Sequence, residues 1–156
     1  MEIIGKNIIL KYFDEEEWHD FWKTYKPDPI IDPRPYEYDY NRCKTSWKYS
    51  EKRKDWYPSI GIFLKDGTSV GLFNYRRINY QTSLVELGIT MKNDDYKDKG
   101  YGTETLKLAI KNVFDNLKLN KIHVDTMSTN DRMIHILKKL AFKRVAISEN
   151  HYNIDG

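Results

Sequence analysis

The sequence predicts an α/β protein with a mixed sheet, and three observations carry that prediction. Residues 86–142 contain a strand, a glycine-rich turn, a helix, a second strand and a second helix in succession. Upstream, two β-rich runs flank Lys65-Asp66-Gly67, and Asp-Gly between such runs is a strong hairpin signal. The length of 156 residues is enough for one domain with a sizeable core. We therefore predict a single domain over residues 1–156.

Composition and charge exclude several classes of protein. The 26 basic and 23 acidic residues are well mixed, so the net charge of +3 is a weak footprint for nucleic-acid binding. The single Cys43 excludes an internal disulfide framework, and no spacing of it with the four His residues suggests a metal site. No apolar run approaches the ~20 residues of a membrane helix, and the N-terminus lacks a signal-peptide pattern. We expect a cytoplasmic protein with no nucleic-acid, membrane or metal partner.

The N-terminal half predicts strands and helices separated by turns. Asp14 is a good N-cap for a helix, and the acids that follow it lie where the helix dipole favours them. Trp18, Phe21 and Trp22 then form an apolar stripe at helical spacing. In order, the predicted elements are a strand at 3–12, helices at 15–25 and 41–50, and the hairpin strands 59–64 and 69–76.

A proline-rich loop lies between the two predicted helices. Four prolines between residues 27 and 35 interrupt regular structure, and residues 36–40 alternate tyrosines with acids. A loop this long in a compact domain is usually functional or disordered. Aromatic rings attract ammonium ions and acids pair with them, so we predict that Tyr36, Tyr38 and Trp47 bind an amine substrate. The alternative is that the tyrosines only pack the loop onto the body of the domain.

The C-terminal half predicts strands and helices around the glycine-rich turn. A strand at 84–91 precedes the turn, and apolar residues recur at helical spacing between residues 106 and 117. A parallel strand at 121–126 follows, and Asn130 caps the last predicted helix. A sixth strand is predicted from residue 142 to residue 152.

The turn Gly100-Tyr101-Gly102 suits a phosphate group. It opens a helix after a strand, which leaves unpaired backbone N–H groups at the positive end of the helix dipole. A P-loop would need a lysine after Gly102, where Thr103 stands, and a dinucleotide fingerprint would need a third glycine at Thr105. The turn therefore predicts a ligand with a pyrophosphate group but matches neither of these two motifs.

The turn and the segment after it resemble two signatures of the GCN5-related N-acetyltransferase (GNAT) superfamily. The first is Gln/Arg-x-x-Gly-x-Gly/Ala, with Lys97 in the Gln/Arg position. The second is an Asn, a short helix and a Gly-Phe turn, and it resembles the run that starts at Asn130 and ends in Ala141-Phe142. Residues 84–145 are most similar to the branch of ribosomal-protein N-terminal acetyltransferases.

This resemblance implies a GNAT-type acyl-CoA N-acyltransferase fold. In that fold a mixed, twisted sheet is splayed between its fourth and fifth strands, and helices cover both faces. The implied reaction is acetyl transfer from acetyl-CoA, as co-substrate, to a primary amine by direct attack in a ternary complex. The amine belongs to a protein N-terminus or to a small molecule. The alternative function is a non-catalytic acyl-CoA-binding or interaction protein that keeps the fold.

The resemblance also implies which residues bind acetyl-CoA. The backbone that follows Glu86 pairs with the pantetheine arm as an added strand does, and the turn holds the pyrophosphate. The implied cofactor-binding residues are Ile89, Thr90, Met91, Lys97, Asp98, Lys99, Gly100, Tyr101, Gly102, Thr103 and Asn130.

Amine acetylation needs a base, because an ammonium ion has no lone pair with which to attack. The resemblance places Glu86 and Asp125 on the fourth and fifth strands as catalytic candidates. We rank Glu86 first, because its apolar neighbours favour a buried carboxylate with a raised pKa. The alternatives are that Glu86 pairs with Arg76 or Arg77 and that Asp125 interacts with His123.

Asn130 is the third catalytic candidate, as the residue that bonds the pantetheine arm or a water near the amine. No general acid is evident, since Met133 and Leu137 stand where relatives often carry Ser and Tyr. A thiol with a pKa of about 8.5 is a good leaving group, so transfer does not require that acid.

The predicted elements stop one strand short of the family pattern. Within the predicted sixth strand, residues 142–148 supply the part that pairs in the sheet, a turn is predicted at residues 153–156, and no seventh strand is predicted. A strand without its neighbour leaves a row of unpaired N–H and C=O groups. We expect that edge, beside residues 122–126, to be covered by the shifted sixth strand, by a second chain in a homodimer, or by a further segment.

Overall fold

The computed structural model describes residues 1–29, 33–124 and 130–140, and within these ranges the chain forms one six-stranded sheet and four α-helices. The strands lie in chain order across the sheet, and each neighbouring pair is antiparallel except the last, which is parallel. The elements are β1 (Glu2–Ile4), β2 (Ile8–Lys11), α1 (Glu15–Thr24), α2 (Tyr40–Lys52), β3 (Ser59–Leu64), β4 (Ser69–Asn79), β5 (Leu84–Met91), a 3₁₀ turn (Asp94–Tyr96), α3 (Tyr101–Asp115), β6 (Lys121–Val124) and α4 (Asp131–Lys139). The predicted mixed α/β sheet is confirmed.

The prediction of one opening strand at residues 3–12 is wrong. The chain turns after β1, where the Gly5 N–H donates to the Ile8 carbonyl at 2.8 Å, and β1 and β2 pair antiparallel. The Glu104 carboxylate of α3 accepts the N–H groups of Asn7 at 3.0 Å and Ile8 at 3.1 Å and so fixes this turn. A Cβ at Gly5 would lie 2.5 Å from a Glu104 oxygen, so the close approach requires glycine. Hydrophobic periodicity within the segment carries no information about such a distant partner.

Local caps begin the first two helices. At α1 the Asp14 carboxylate accepts the Glu17 N–H at 2.7 Å, and the Glu17 carboxylate accepts the Asp14 N–H at 3.0 Å. This reciprocal capping box satisfies two backbone donors at the helix start. Asp39 caps α2 by accepting the Arg42 N–H at 2.8 Å. The predicted N-cap at Asp14 is confirmed, and α1 ends at Thr24, one residue before its predicted end.

The predicted hairpin joins β3 and β4. Gly67 has φ of +94°, a left-handed conformation that glycine adopts without strain, and the Leu64 N–H donates to the Thr68 carbonyl at 2.8 Å. β4 continues three residues past its predicted end at Arg76. The register with β5 shifts between Arg76 and Asn79, and Arg77 has φ of +52°, as expected for a bulge.

Alternation along β5 assigns the two faces of the sheet. Val85 and Leu87 contribute to a core with residues of α3, such as Leu106. Glu86 and Gly88 lie on the opposite face, which also carries Leu72 of β4. α1 and α2 pack against that face and form a second hydrophobic core with it. The buried residues of this core are Phe13, Trp18, Phe21, Cys43, Phe63 and Leu72. Helices therefore cover both faces, as predicted.

The parallel pairing of β5 with β6 is described as far as the middle of β5. Its last described pair is Leu87 with Val124, whereas β5 continues to Met91. The predicted splay between these two strands would begin beyond Val124, outside the described residues. The predictions for Asp125 and for the strand that starts at Phe142 lie outside the described residues, as does the expected covering of the β6 edge. In the parts of the chain that the structure describes, no helix has the length and apolar character to cross a membrane.

Candidate active site

The turn between β5 and α3 presents a run of backbone N–H groups. The first bond that enters the helix is from the Glu104 N–H to the Gly100 carbonyl, at 3.0 Å. Among the described residues, the N–H groups from Lys99 to Thr103 meet no hydrogen-bond acceptor. They lie at the N-terminus of a 15-residue helix, where the dipole favours negative charge. This arrangement has the chemistry that the sequence predicts for a pyrophosphate site.

Two glycines serve this turn in different ways. Gly100 is the N-cap residue with φ of +83°, so its role is to allow a left-handed backbone, as Asp98 also has at φ of +60°. Gly102 lies inside the helix, and among the described residues a Cβ there would meet only the Cδ1 atoms of Ile89 and Ile136, each at 3.9 Å. The fold therefore does not require glycine at position 102. The space that a side chain would fill there adjoins the helix N-terminus, and it fits a phosphate that approaches the backbone closely.

The Lys97 side chain forms ion pairs with two carboxylates, and the contact of Lys97 with acetyl-CoA stays a prediction. Its Nζ lies 3.1 Å from the Asp28 carboxylate and 2.9 Å from the Asp94 carboxylate, and its side chain is 8% exposed. The backbone supports the same junction, since the Lys26 N–H donates to the Lys92 carbonyl at 2.9 Å. Lys97 thus fastens the start of the proline-rich loop to the turn. Sequence reasoning missed Asp28, because an ion pair across 69 residues leaves no local pattern.

Replacing Lys97 with methionine is expected to lower the free energy of unfolding by about 1–3 kcal/mol, because the ion pair between the Lys97 side chain, 8% exposed, and the Asp28 carboxylate, 17% exposed, is lost. Urea denaturation with fluorescence detection measures this change. Asp94→Asn is the matched control, and since the Asp94 side chain is 85% exposed its cost should stay below about 1 kcal/mol. An equal decrease in the free energy of unfolding in the two variants would show that the ion pair between Lys97 and Asp28 does not stabilise the fold more than the exposed pair with Asp94.

The helix α4 lies beside the turn. Arg132 places Nη2 3.2 Å from the Asp98 carboxylate, and the Ile136 side chain borders the space at Gly102. Asn130 is buried and caps α4, with its Oδ1 accepting the Met133 N–H at 3.2 Å, as predicted. Its contact with a pantetheine arm stays a prediction. Sequence reasoning did not single out Arg132, whose guanidinium adds a cation next to the proposed pyrophosphate site.

The backbone of β5 beyond Leu87 is the segment predicted to pair with a pantetheine arm. Ile89, Thr90 and Met91 pair with β4 on one side, opposite Phe73, Leu72 and Gly71. On the other side the described pairing with β6 reaches only to Leu87, because residues 125–129 lie outside the described ranges. The contact of this backbone with a pantetheine arm stays a prediction.

Glu86 lies at the centre of β5, partly buried, with Arg76 and His123 as its register partners on the two neighbouring strands. Within the described ranges its carboxylate makes no hydrogen bond and no ion pair. The structure therefore does not show the alternative ion pair between Glu86 and Arg76 or Arg77. A carboxylate without a partner on the face of α1 and α2 has the chemistry of a proton acceptor.

The aromatic residues predicted to bind substrate contact α1. The Tyr36 hydroxyl donates to the Trp22 carbonyl at 3.0 Å, and the Tyr38 hydroxyl lies 2.7 Å from Nδ1 of His19. The Trp47 ring packs in the second core, with its centroid 6.1 Å from that of Trp18. These contacts favour the packing alternative for the three residues. Their role in substrate binding stays a prediction.

No general acid is evident from the sequence, and the buried phenol of Tyr75 is a candidate for that role. Its contacts indicate a structural role instead. Its hydroxyl donates to the Ala109 carbonyl at 3.3 Å and accepts from Nδ2 of Asn112 at 2.9 Å. Burial raises the pKa of Tyr75 to about 12. It also lies on the α3 face, opposite Glu86. The apolar Met133 and Leu137 are partly buried on α4, so neither replaces the acid.

Known proteins share both the sequence pattern and the fold. The family model described as an acetyltransferase (GNAT) domain matches residues 7–143. The spermidine N(1)-acetyltransferase of Escherichia coli K12 is 34% identical over 91 residues, which are 58% of this chain and 48% of that protein. The chain thus spans about half the length of the curated relatives it matches.

Two solved structures illustrate the likeness in fold. The dodecameric spermidine N-acetyltransferase from Vibrio cholerae has a TM-score of 0.76 at 16% identity and covers 97% of this chain and 88% of its own. A ribosomal L7/L12 α-N-protein acetyltransferase in complex with coenzyme A has a TM-score of 0.75 at 10% identity, over 89% and 82% of the two chains. The family match over most of the chain decides its classification, and this protein belongs to the GNAT acetyltransferase family.

Proposed function

We propose that this protein transfers the acetyl group of acetyl-CoA to a primary amine, by direct attack in a ternary complex. The observation that carries the proposal is the run of backbone N–H groups from Lys99 to Thr103, beside the open space at Gly102. Membership of the GNAT family supports acetyl-CoA as the ligand of that run. The coenzyme A complex of a structural neighbour supports the same assignment.

The residues present fit the parts of acetyl-CoA. The N–H groups at the start of α3 would hold the pyrophosphate, and the backbone of Ile89, Thr90 and Met91 would pair with the amides of the pantetheine arm. When bound, acetyl-CoA supplies a thioester whose carbonyl carbon accepts the amine nitrogen as the C–S bond breaks. The sulfur would leave as a thiolate with the electrons of that bond and take up the proton that the amine nitrogen loses, and the pKa of about 8.5 of the resulting thiol makes the thiolate a good leaving group.

Glu86 would prepare the amine for attack. A lysine-type amine has a pKa of about 10.4 and an α-amine about 7.7–8.0, so both are mostly protonated at neutral pH. Glu86 would accept that proton, directly or through one water, and leave the nitrogen with its lone pair. The position of Glu86 near the middle of β5, three residues before Ile89, supports this role.

We also propose that the chain forms one acetyltransferase domain that self-associates. The dodecameric state of the V. cholerae spermidine N-acetyltransferase supports self-association in this fold. Light scattering of the purified protein measures its mass in solution, and a mass of one chain, 18.7 kDa, would contradict the proposal.

An acceptor screen that measures released coenzyme A tests the reaction. The panel should contain polyamines, peptides with free N-termini, and small amines, because the curated relatives act on spermidine and a structural neighbour on a ribosomal protein. Release of coenzyme A with at least one amine is the expected result. Binding of acetyl-CoA without turnover across the panel would replace the proposal with an acyl-CoA-binding protein.

A further inference from the structure

We propose that the amine acceptor carries an oxyanion, a carboxylate or a phosphate, within a few bonds of its amine, and that Arg76 binds this group. The inference rests on the proposed acetyl transfer and names the class of acceptor. It starts from an arginine whose charge the described part of the protein does not neutralise.

Arg76 lies over the strand that carries the proposed base. It is the register partner of Glu86 on the neighbouring strand, and the two side chains share a face of the sheet. A Cβ on Gly88 would overlap Cζ, Nη2 and Nε of Arg76, so the guanidinium lies flat against the Gly88 backbone. The cation is thereby held next to Glu86, immediately before the strand segment proposed to bind the pantetheine arm.

The guanidinium of Arg76 lacks the partners that a buried cation normally has. Its Nε is buried without an acceptor, and within the described ranges the side chain makes no ion pair. Arg53 on the same side of the sheet also has a buried Nε without an acceptor, but its Nη2 donates to the Ser59 hydroxyl at 3.0 Å and its guanidinium lies over the rings of Tyr49 and Tyr57. Partial burial of an unpaired cation is unfavourable, so a ligand that supplies an anion gains affinity there.

The chemistry of Arg76 selects the ligand. A guanidinium presents a planar fork of N–H donors that matches the two oxygens of a carboxylate or a phosphate. Cross-strand neighbours such as Arg76 and Glu86 are only about 4.5–5.5 Å apart at Cα. An acceptor that gives its amine to Glu86 and its anion to Arg76 therefore has both groups close together, as an amino acid has. A polyamine has no anion, and its ammonium groups would be repelled by Arg76.

The test compares acceptors that differ only in their negative charge. One arm pairs amino acids with their amides, and a second arm pairs O-phosphoethanolamine with ethanolamine. Spermidine is the cationic reference. We expect kcat/KM to favour the anionic member of at least one pair by about tenfold or more, because the neutral analogue leaves Arg76 unpaired. The arm that shows the preference identifies carboxylate or phosphate.

Variants of Arg76 distinguish recognition from packing. Arg76→Gln should remove the preference, and Arg76→Lys should keep part of it, because the charge remains but the fork is lost. Arg77→Gln is the matched control, since Arg77 is exposed, and it should keep the wild-type preference. A purely structural role of Arg76 would lower the rates for both members of a pair equally and leave their ratio unchanged.

The inference and the proposed function fail in different ways. Turnover of amides or spermidine as fast as amino acids and the aminophosphate, or an unchanged ratio in Arg76→Gln, overturns the inference and leaves acetyl transfer standing. Absence of turnover with every amine removes the proposed function. In that case, calorimetric titration of the same amino acids and O-phosphoethanolamine into the protein, with and without coenzyme A, tests directly whether Arg76 binds their anionic groups. Binding that Arg76→Gln weakens supports the site, and no binding overturns it.

Discussion

Gly102→Val is expected to weaken acetyl-CoA binding by about 100-fold or more while the fold stays intact. A valine side chain would occupy the space through which a phosphate reaches the N–H groups of the α3 N-terminus. Each hydrogen bond to a charged group contributes roughly 1.5–3 kcal/mol, and a factor of ten in affinity corresponds to about 1.4 kcal/mol. Loss of one or two such bonds therefore gives the expected change. Isothermal titration calorimetry with acetyl-CoA measures it.

The structure predicts that this variant folds. The backbone at Gly102 has no positive φ, and the nearest side-chain atoms to a Cβ lie at an ordinary 3.9 Å. Lys107→Val is the matched control, because Lys107 is an exposed position on the same helix and receives the same side chain. Circular dichroism should show similar folds for both variants. Wild-type affinity in a folded Gly102→Val would remove the assignment of this turn to the cofactor.

Features set by neighbouring residues were predictable from the sequence. The capping box at Asp14, the hairpin at Asp66-Gly67 and the cap at Asn130 each depend on groups within three or four residues. The N–H run before α3 follows from the same kind of local rule, because any helix leaves its first N–H groups unpaired. The sequence pattern therefore predicted this run of N–H groups, whose role as the cofactor site is a proposal.

Features set by distant residues were not predictable from the sequence alone. Glu104 fixes the turn at Gly5 from a position 97 residues away from Asn7, and no local pattern distinguishes that turn from a continuing strand. The pairing of Lys97 with Asp28 likewise arises only when the loop after α1 packs on the turn. Residue types at these positions allow several partners, and tertiary packing selects one of them.

The environment of Arg76 depends on both local sequence and tertiary packing. Its place on a strand beside Glu86 was a sequence expectation, and an ion pair between them was the natural alternative to catalysis. The bare Gly88 backbone instead receives the guanidinium, so the base and the cation lie side by side without neutralising each other. This separation supports both the catalytic role of Glu86 and the acceptor class proposed for Arg76.

Glu86→Gln is expected to lower kcat by roughly 100-fold or more at neutral pH, because the amide has no capacity to accept the proton of the attacking amine. The substitution keeps the size of the side chain and breaks no hydrogen bond or ion pair to the described residues. The deficit should shrink as the pH rises, because a growing fraction of the acceptor is then already deprotonated. Steady-state rates of coenzyme A release between neutral and alkaline pH measure both effects.

Asp125→Asn is the parallel variant, since Asp125 follows the last described residue of β6 and is the second candidate base. If Glu86 is the base, this variant should retain the pH dependence of the wild type, and the binding of acetyl-CoA should be unchanged in both variants. The opposite pattern, in which Glu86→Gln keeps the wild-type profile while Asp125→Asn flattens it, would transfer the role of base to Asp125. Loss of acetyl-CoA affinity in Glu86→Gln would instead show that Glu86 acts in binding, because a pure base contributes to kcat and not to the ground-state complex.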